Sequence, residues 1–470
     1  MVLLKLLKGG GGLLYDFIKT DKNLKTPMYR QIYFSIRKYI ENGSLKINTK
    51  IPSIRKLSSS LSVSKTTVKA AYDQLCAEGY IKAVPQSGYL VAAEFKNTPK
   101  NAEAGDNYSN KEISYFEYDF SGKSVDKSVT DISQWKKNIR EVINSDSLLT
   151  SYGDPQGEPK LREALQRYAL GVRSVNSRAE SIVVGAGTQP ILFLLCAIAA
   201  TGKRVAMAKQ SFVQSELVFK NCGCQIFWFE QDENGVTTES LDKIKPDFVM
   251  INPNFSGTDG SGMPVSRRLE LIDWARKNNA FIIEDDYNGE LRYSTLPTPC
   301  VQNYDAENTV YIGSFSKVLL PSVRISYAVL PQKLAQSYQK IKSATNQTAS
   351  KTEQLALAAY LNSNKFETHL RKARRVYLEK SKLISGCVKK HLNAEKIIFN
   401  ETSLYLRVII KDRFSRKKLD EELKSKSVRL MPNNSPNEIG LSFSGIATGK
   451  IEEGIKLVSS ALKSSCTDYN

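Results

Sequence analysis

A chain of more than one domain is predicted: a small, mainly helical module closed by a β-hairpin, then an α/β domain that ends in a smaller α+β lobe. Three observations carry this expectation. At 470 residues the chain is longer than one hydrophobic core usually serves, and 41% hydrophobic residues suffice for ordinary cores. Between residues 27 and 92 apolar positions first follow helical spacing and then a strand–turn–strand pattern. From about residue 115 onward, short apolar runs of strand character alternate with helical runs, which is the pattern of an α/β fold with a largely parallel sheet.

Composition narrows the partners. Lysine plus arginine number 67 against 48 for aspartate plus glutamate, a formal net charge of +19. Such a surplus favours polyanions, nucleic acid among them. Seven cysteines are scattered, and the one close pair, Cys222-Gly-Cys224, lacks both zinc-knuckle spacing and a second pair. Reduced structural thiols in a cytoplasmic protein are therefore expected. The two histidines, His369 and His391, are far apart and without ligand spacing, so neither a metal site nor Ser–His chemistry is expected. The first 14 residues are apolar but too short to span a bilayer and are broken by four glycines. Residues 1–26 are read as a flexible extension, with no membrane partner.

The module at 27–94 can be taken element by element. Tyr29, Ile32, Tyr33, Ile36 and Ile40 recur at three- and four-residue steps and give a first helix its apolar stripe. Ser53 is the N-cap candidate of a short second helix that turns Leu57 and Leu61 inward. Ser64 caps a third helix whose buried face is Val68, Ala71, Tyr72 and Leu75, and Gly79 ends it. Residues 80–84 and 89–91 flank Pro85-Gln-Ser-Gly88, a hairpin with a glycine at its tip. Two short helices joined by a tight turn, the second exposing Lys65, Thr66 and Lys69, make a helix-turn-helix pattern. Backbone N–H groups at the helix start suit a phosphate, and the polar face suits a major groove. The hairpin would be a wing, with Gly88 small enough to approach the minor groove or the backbone closely. Spacing alone is equally met by a small helical domain whose basic face is merely solvated.

Longer motifs separate these readings. Pro27-Met-Tyr-Arg-Gln-Ile32, Ile51-Pro-Ser-Ile-Arg55-Lys-Leu57, Val63-Ser-Lys-Thr-Thr-Val68, Ala77-Glu-Gly-Tyr-Ile81 and Ser87-Gly-Tyr-Leu-Val91 follow one another in the order of GntR-type bacterial regulators, whose winged helix-turn-helix this module resembles. The resemblance implies that Ser53, Arg55, Ser64, Lys65, Thr66, Thr67 and Gly88 meet double-stranded DNA, and Lys69 lies on the same exposed face. The family usually has arginine where this chain has Lys65. Lysine still neutralises phosphate but lacks the bidentate fork that reads guanine.

Residues 95–114 are polar and aperiodic and include proline and glycine, as a linker would. In the domain at 115–466, strand-like runs are expected at 181–184, 204–207, 225–229, 248–251, 281–283, 310–312 and 324–329. Strands near 404–408 and 439–443, with helices near 417–424 and 450–463, form the smaller lobe. Gly185-Ala-Gly187-Thr188-Gln189 follows a strand and opens an apolar helix, a place where N–H groups and the helix dipole suit a phosphate. Asp285 stands at the C-terminal end of a very apolar strand, where open α/β sheets bind ligands. A carboxylate there needs a cationic partner, and a pyridine-ring nitrogen would serve. Tyr287 could hydrogen-bond that ring's 3-oxygen. Lys317 follows Gly313-Ser-Phe-Ser at another strand end, where partial desolvation makes an amine nucleophilic. In a lysine-rich chain any one lysine is usually a solvated surface amine, and only the ordered set singles this one out.

That set resembles the fold-type I aminotransferases, and with the winged helix in front of it the chain resembles the MocR-type branch of GntR regulators from about residue 27 to near its C-terminus. Tyr152-Gly-Asp-Pro-Gln-Gly157, Gly187-Thr-Gln189, Ile283-Glu-Asp-Asp-Tyr287 with Glu290-Leu-Arg-Tyr293, and Ser314-Phe-Ser-Lys317 through Arg324 carry it. The resemblance implies pyridoxal 5'-phosphate (PLP) as cofactor, Lys317 as its Schiff-base lysine, Asp285 on the ring nitrogen and Tyr287 on the 3-oxygen. Ser314, Arg324 and the Gly187-Thr188-Gln189 turn would hold the phosphate, and Phe212 would stack on the ring. Tyr152 would reach the phosphate in the other subunit of a homodimer.

The departures from the family pattern shape the functional expectation. Where the family often reads Ser-His-Gln-Phe-Pro-Thr-Gly, this chain has Asn254-Phe-Ser-Gly-Thr-Asp-Gly260, so the group near the ring oxygen is Ser256 by gap-free alignment, with Asn254 as the alternative. The lead before Phe212 is Ala208-Lys-Gln-Ser211. Aminotransferases commonly present an arginine for the substrate α-carboxylate in an Ile-Arg-Leu-x-Phe strand, which here reads Ile439-Gly-Leu-Ser-Phe443. Loss of that clamp removes a major source of substrate orientation, unless Arg407 or Arg429 substitutes. Cofactor binding without efficient turnover is expected, so no catalytic residue is assigned: a PLP-dependent DNA-binding regulator that senses PLP or an amine effector, with at most a residual transaminase half-reaction. The alternative is a working PLP-dependent aminotransferase with an accessory DNA-binding domain.

Overall fold

The computed structural model describes residues 18, 20–21, 24–93, 116–209, 213–258, 260–286, 289–292, 298–400, 403–432 and 435–466. The chain divides into two compact units, residues 1–114 and 115–470. The segment read as a linker, and most of the segment read as an N-terminal extension, lie outside the described residues.

In the first unit, α1 (Met28–Glu41) buries Ile32, Tyr33, Ile36 and Ile40, the stripe that the spacing predicts. After a two-residue strand, β1 (Lys50–Ile51), come α2 (Ile54–Ser60) and α3 (Lys65–Ala77). Each helix begins on a serine whose hydroxyl satisfies one of the backbone donors left open at a helix start. Ser53 accepts from the Lys56 N–H at 3.3 Å and Ser64 from the Thr67 N–H at 3.0 Å. Val68, Ala71, Tyr72 and Leu75 of α3 are buried as expected, and Gly79, at φ +75°, turns the chain out of the helix. The wing is β2 (Ile81–Val84) antiparallel to β3 (Gly88–Val91). Its tip holds Gln86 at φ 59° and Gly88 at φ 92°, a backbone that glycine takes without strain. β1 pairs with the other edge of β3, a strand too short to show alternation in sequence. Ile18 is also buried in this core, and Asp21 exchanges backbone hydrogen bonds with the Gln31 amide, so the unit reaches back beyond α1.

The second unit opens with β4 (Tyr118–Asp119), followed by β5 (Ile182–Gly185), β6 (Arg204–Met207), β7 (Gln225–Trp228), a small hairpin of β8 (Gln231–Asp232) and β9 (Gly235–Val236), β10 (Phe248–Ile251), β11 (Phe281–Asp286), β12 (Thr309–Ser314) and β13 (Ser326–Val329). Seven strands form one sheet in the order β5-β13-β12-β11-β10-β6-β7. All pairings are parallel except those of β13 with β12 and β5. Successive side chains enter opposite layers: Val205, Met207, Ile283, Val310 and Ile312 pack in one core, Ala206 and Ile282 in another, and Tyr311 in a third. Burial on both faces is why these strands read as continuous apolar runs.

Two of the differences from the expected strand bounds have a physical reason. β13 starts at Ser326 rather than 324, because Arg324 takes the left-handed conformation at φ 50° after a short turn. β11 continues through Glu284, Asp285 and Asp286, all buried, although three acids in a row read as the end of an apolar strand.

The lobe contains β14 (Ala394–Ile398), β15 (Tyr405–Ile410), β16 (Val428–Arg429) and β17 (Glu438–Ser442). β15 pairs antiparallel with both β14 and β17, and β16 runs parallel to β4. The helices Arg416–Ser425 and Ile451–Ser465 cover it, close to the expected bounds. A buried ion pair ties the lobe to the rest of the unit. Lys380, in the long helix Asn364–His391, is fully buried and donates to Asp126 at 2.5 Å and to the Ile446 carbonyl at 2.6 Å. Among the described residues no helix is long and apolar enough to cross a membrane.

Two stability measurements follow from this architecture. All three tryptophans (135, 228 and 274) lie in the second unit, so their fluorescence follows that unit while circular dichroism follows both. Ser64→Ala is expected to cost about 1 kcal/mol, shifting the denaturant transition seen by circular dichroism and leaving the fluorescence transition in place. Asp126→Ala leaves the Lys380 ammonium buried without its carboxylate and is expected to cost about 3–5 kcal/mol, moving the fluorescence transition.

Candidate functional site

Because β10, β11 and β12 are mutually parallel and β13 runs against both β12 and β5, the C-terminal ends of β5, β10, β11 and β12 share one edge of the sheet. Ligands in open α/β sheets lie at this edge. The turn at 185–189 leaves β5 there, Asn254 follows β10, Asp285 is the last residue but one of β11, and Ser314 ends β12 with Lys317 just beyond.

The three consecutive acids of β11 are compensated in three different ways. Glu284 accepts the backbone N–H groups of Val301 and Gln302 at 2.9 and 3.0 Å. Asp286 accepts from Arg173 Nε at 2.6 Å, from the Tyr311 hydroxyl at 2.8 Å and from the Asn254 amide. Asp285 lies between them, and its Oδ1 is buried with no hydrogen-bond partner among the described residues. Burial first, and the neighbouring Asp286 second, push its carboxyl up to about 7. A buried oxygen of this kind is costly unless something outside the chain completes it.

Lys317 is set in the turn between β12 and β13, and its Nζ donates to the Gly122 carbonyl. Burial lowers its pKa, and the Asp119 carboxylate only partly offsets this, which shifts the amine toward its nucleophilic neutral form. A Cβ placed on Gly122 would come within 3.1 Å of Ser442 Oγ and 4.0 Å of Lys317 Nζ, so β17 of the lobe borders the lysine.

The phosphate candidates converge. The Arg324 guanidinium packs on Gly187, where an added Cβ would meet Nη2 at 2.6 Å and displace it, and the backbone there, at φ +103°, is one that glycine takes without strain. Arg324 Nη1 also reaches Ser316 Oγ at 3.4 Å, and Ser314 Oγ lies 3.3 Å from Ser316 Oγ. Thr188 and Gln189 open the helix Thr188–Leu195 beside them. Two hydroxyls, a guanidinium and a helix start suit a dianion. Taken together, the Asp285 carboxyl with its partnerless Oδ1, the buried Lys317 amine and this anion cradle fit the ring nitrogen, aldehyde and phosphate of PLP.

The remaining sequence candidates separate. Phe212 and Tyr287 lie outside the described residues. Tyr152 is fully exposed, 103% relative to the free residue. Asn254 spends its amide on Asp286, whereas the Ser256 hydroxyl turns toward Gly235 of the β8–β9 hairpin. Neither arginine weighed as a substitute clamp is held in reserve for a carboxylate. Arg407 forms a two-point pair with Glu438, at 2.7 and 2.9 Å, and Arg429 lies over the Phe116 ring at 5.3 Å. Sequence reasoning missed Ser316, Gly122 and the Arg173–Asp286–Tyr311 network. Ser316 was legible as the second serine of Ser-Phe-Ser-Lys, while Gly122 and Arg173 are contributed by distant segments with no motif.

In the first unit, Ser53, Arg55, Ser64, Lys65, Thr66, Lys69 and Gly88 are exposed, and Thr67 is half-buried. Ser64 Oγ lies 2.7 Å from both the Thr66 and Thr67 hydroxyls, and the first turns of α2 and α3 contain no acid. Two helix starts with hydroxyls, basic side chains and no carboxylate present a surface suited to a phosphate backbone.

Comparison with known proteins agrees with this division. Residues 28–91 match the family described as bacterial regulatory proteins, gntR family, and residues 118–456 match aminotransferase class I and II. The chain is 32% identical over 462 residues to the HTH-type transcriptional regulator YdeL of Bacillus subtilis (strain 168), covering 94% of this chain and 98% of that one. It is 28% identical to the probable rhizopine catabolism regulatory protein MocR of Rhizobium meliloti, over 94% of this chain and 95% of that one. Among solved structures, an archaeal alanine:glyoxylate aminotransferase superposes with a TM-score of 0.67 at 22% identity, over 74% of this chain and 91% of that one, and so shares the fold of the second unit. With a gntR-family helix-turn-helix in front of an aminotransferase class I and II domain, the chain belongs to the MocR-type branch of the GntR regulators.

Proposed function

We propose that this transcriptional regulator reads DNA through residues 27–94 and uses residues 115–466, beyond the linker at 95–114, as a sensor of PLP or an amine rather than as an enzyme. One contrast carries the reading: the groups that fit the cofactor are arranged at one sheet edge, whereas the arginine that would orient an amino-acid substrate is replaced by Gly440. A Cβ on Gly440 would lie 2.9 Å from Met431 Cβ, so packing closes even the root of such a side chain.

When bound, PLP supplies an aldehyde carbon and an electron-withdrawing ring. Lys317 would present its amine to that aldehyde. Asp285 would gain from a ring N–H the partner that its Oδ1 lacks among the described residues, while Asp286 is held by Arg173, Tyr311 and Asn254. Ser314, Ser316, Arg324 and the Gly187-Thr188-Gln189 turn hold the phosphate. By the family resemblance Phe212 would stack on the ring and Tyr287 would bond its 3-oxygen, with Ser256 or, as the alternative, Asn254 near it. The protein works as a cytoplasmic homodimer in which exposed Tyr152 reaches the phosphate of the other subunit.

On DNA, Ser53, Ser64, Thr66, Thr67 and Gly88 contact the backbone, while Arg55, Lys65 and Lys69 supply charge and groove contacts. A ligand changes operator affinity only as far as it binds the DNA-competent arrangement of the dimer differently from the other.

Operator titrations at fixed salt, using DNA upstream of the protein's own gene, test the reading; fixed salt matters because a charge of +19 brings non-specific affinity. PLP is expected to change specific affinity, and Lys317→Ala to abolish that change. Multiple turnover with an amino donor and a keto acid would instead favour the aminotransferase. A second prediction concerns pH. The folded Asp285 carboxyl titrates near 7, above the ordinary value of about 4, so its burial penalty is absent below pH 4 and grows as pH rises to 7. In the cofactor-free protein, Asp285→Asn is expected to be more stable than wild type at pH 8 and equal to it at pH 4, by tryptophan-monitored denaturation. The same variant should bind PLP at least about tenfold more weakly, having lost a charge-assisted bond.

A further inference from the structure

The lobe strands that border Lys317 carry a second feature. Opposite residues of β15 and β17 share a face: Tyr405 faces Ser442, Arg407 faces Gly440, and Ile409 faces Glu438. Alternation puts Glu438, Gly440 and Ser442 on the same side of β17, and Ser442 is the residue that packs on Gly122 beside Lys317. Arg407 therefore stands directly across from the position of the missing clamp, on the face that looks toward the lysine. Its Nε and Nη2 donors are both engaged by Glu438, and the side chains of this pair are 18% and 11% exposed. A guanidinium held side-on through this fork by one carboxylate cannot offer the same fork to another, and Glu438 itself repels an incoming carboxylate.

We propose that Glu438 determines the ligand selectivity of the sensor site: by occupying Arg407 it excludes α-carboxylates and admits amines that carry a neutral group instead. This rests on the reading that the edge beside Lys317 is the ligand site. Neutralising Glu438 releases Arg407 as a carboxylate receptor one strand away from the usual place.

The test is calorimetric titration of the full-length, PLP-loaded protein with L-alanine and with L-alaninamide, which differ in the charge of one group, at one pH and salt concentration. Wild type is expected to bind the amide more tightly, by about tenfold. Glu438→Gln should shift the ratio toward L-alanine by a further factor of ten or more, and Arg407→Gln in that background should reverse the shift. The visible absorbance of the loaded protein and its operator binding, taken on the same samples, report the regulator reading independently of this ratio. The proposal is overturned by a wild type that binds L-alanine as tightly as the amide, or by a folded Glu438→Gln variant whose ratio is unchanged. The wild-type comparison decides even if the variant fails to fold.

Discussion

The second unit is organised around the cost of keeping carboxylates inside the protein. β11 carries Glu284, Asp285 and Asp286 into the interior, and the surroundings of each can be read as an answer to that cost. Two backbone N–H groups hold Glu284, and the helix Pro159–Arg173 delivers its last residue to Asp286. With those two satisfied, Asp285 alone is left incomplete, at the sheet edge where Lys317 and the anion cradle also end. The orphaned oxygen is thus the consequence of a network that spends its other donors elsewhere, and a ligand with a ring N–H relieves it.

The same economy of partners underlies the proposal of a sensor rather than an enzyme. A transaminase needs a free cation for the substrate carboxylate, because orientation supplies much of its rate. In this chain the usual arginine position is a glycine packed under Met431, and Arg407, opposite it on β15, is already paired with Glu438. Cofactor-holding groups persist without the substrate-holding group. Binding energy in such a site acts on DNA affinity only as far as the ligand binds one DNA-binding state better than another.

The first unit works by simpler means. Serine caps fix where α2 and α3 begin, and a glycine at positive φ lets the wing turn. Those local devices put exposed hydroxyls and basic side chains at two helix starts, where the backbone itself attracts phosphate.

Local chemistry was legible in the sequence by itself. Periodicity and caps determined α1, α2, α3 and the wing, apolar runs determined the sheet strands to within a few residues, and ordered motifs singled out Asp285, Lys317, Ser314, Arg324 and Gly187. Each of those signals lies within a short stretch of chain, where spacing translates directly into geometry. Tertiary structure decided what depends on distant segments meeting. It brought Arg173 to Asp286, Gly122 to Lys317, Lys380 to Asp126 and Glu438 to Arg407. It also carried β11 three acids further than hydropathy suggests, because charges can enter a core once their partners arrive from elsewhere in the chain.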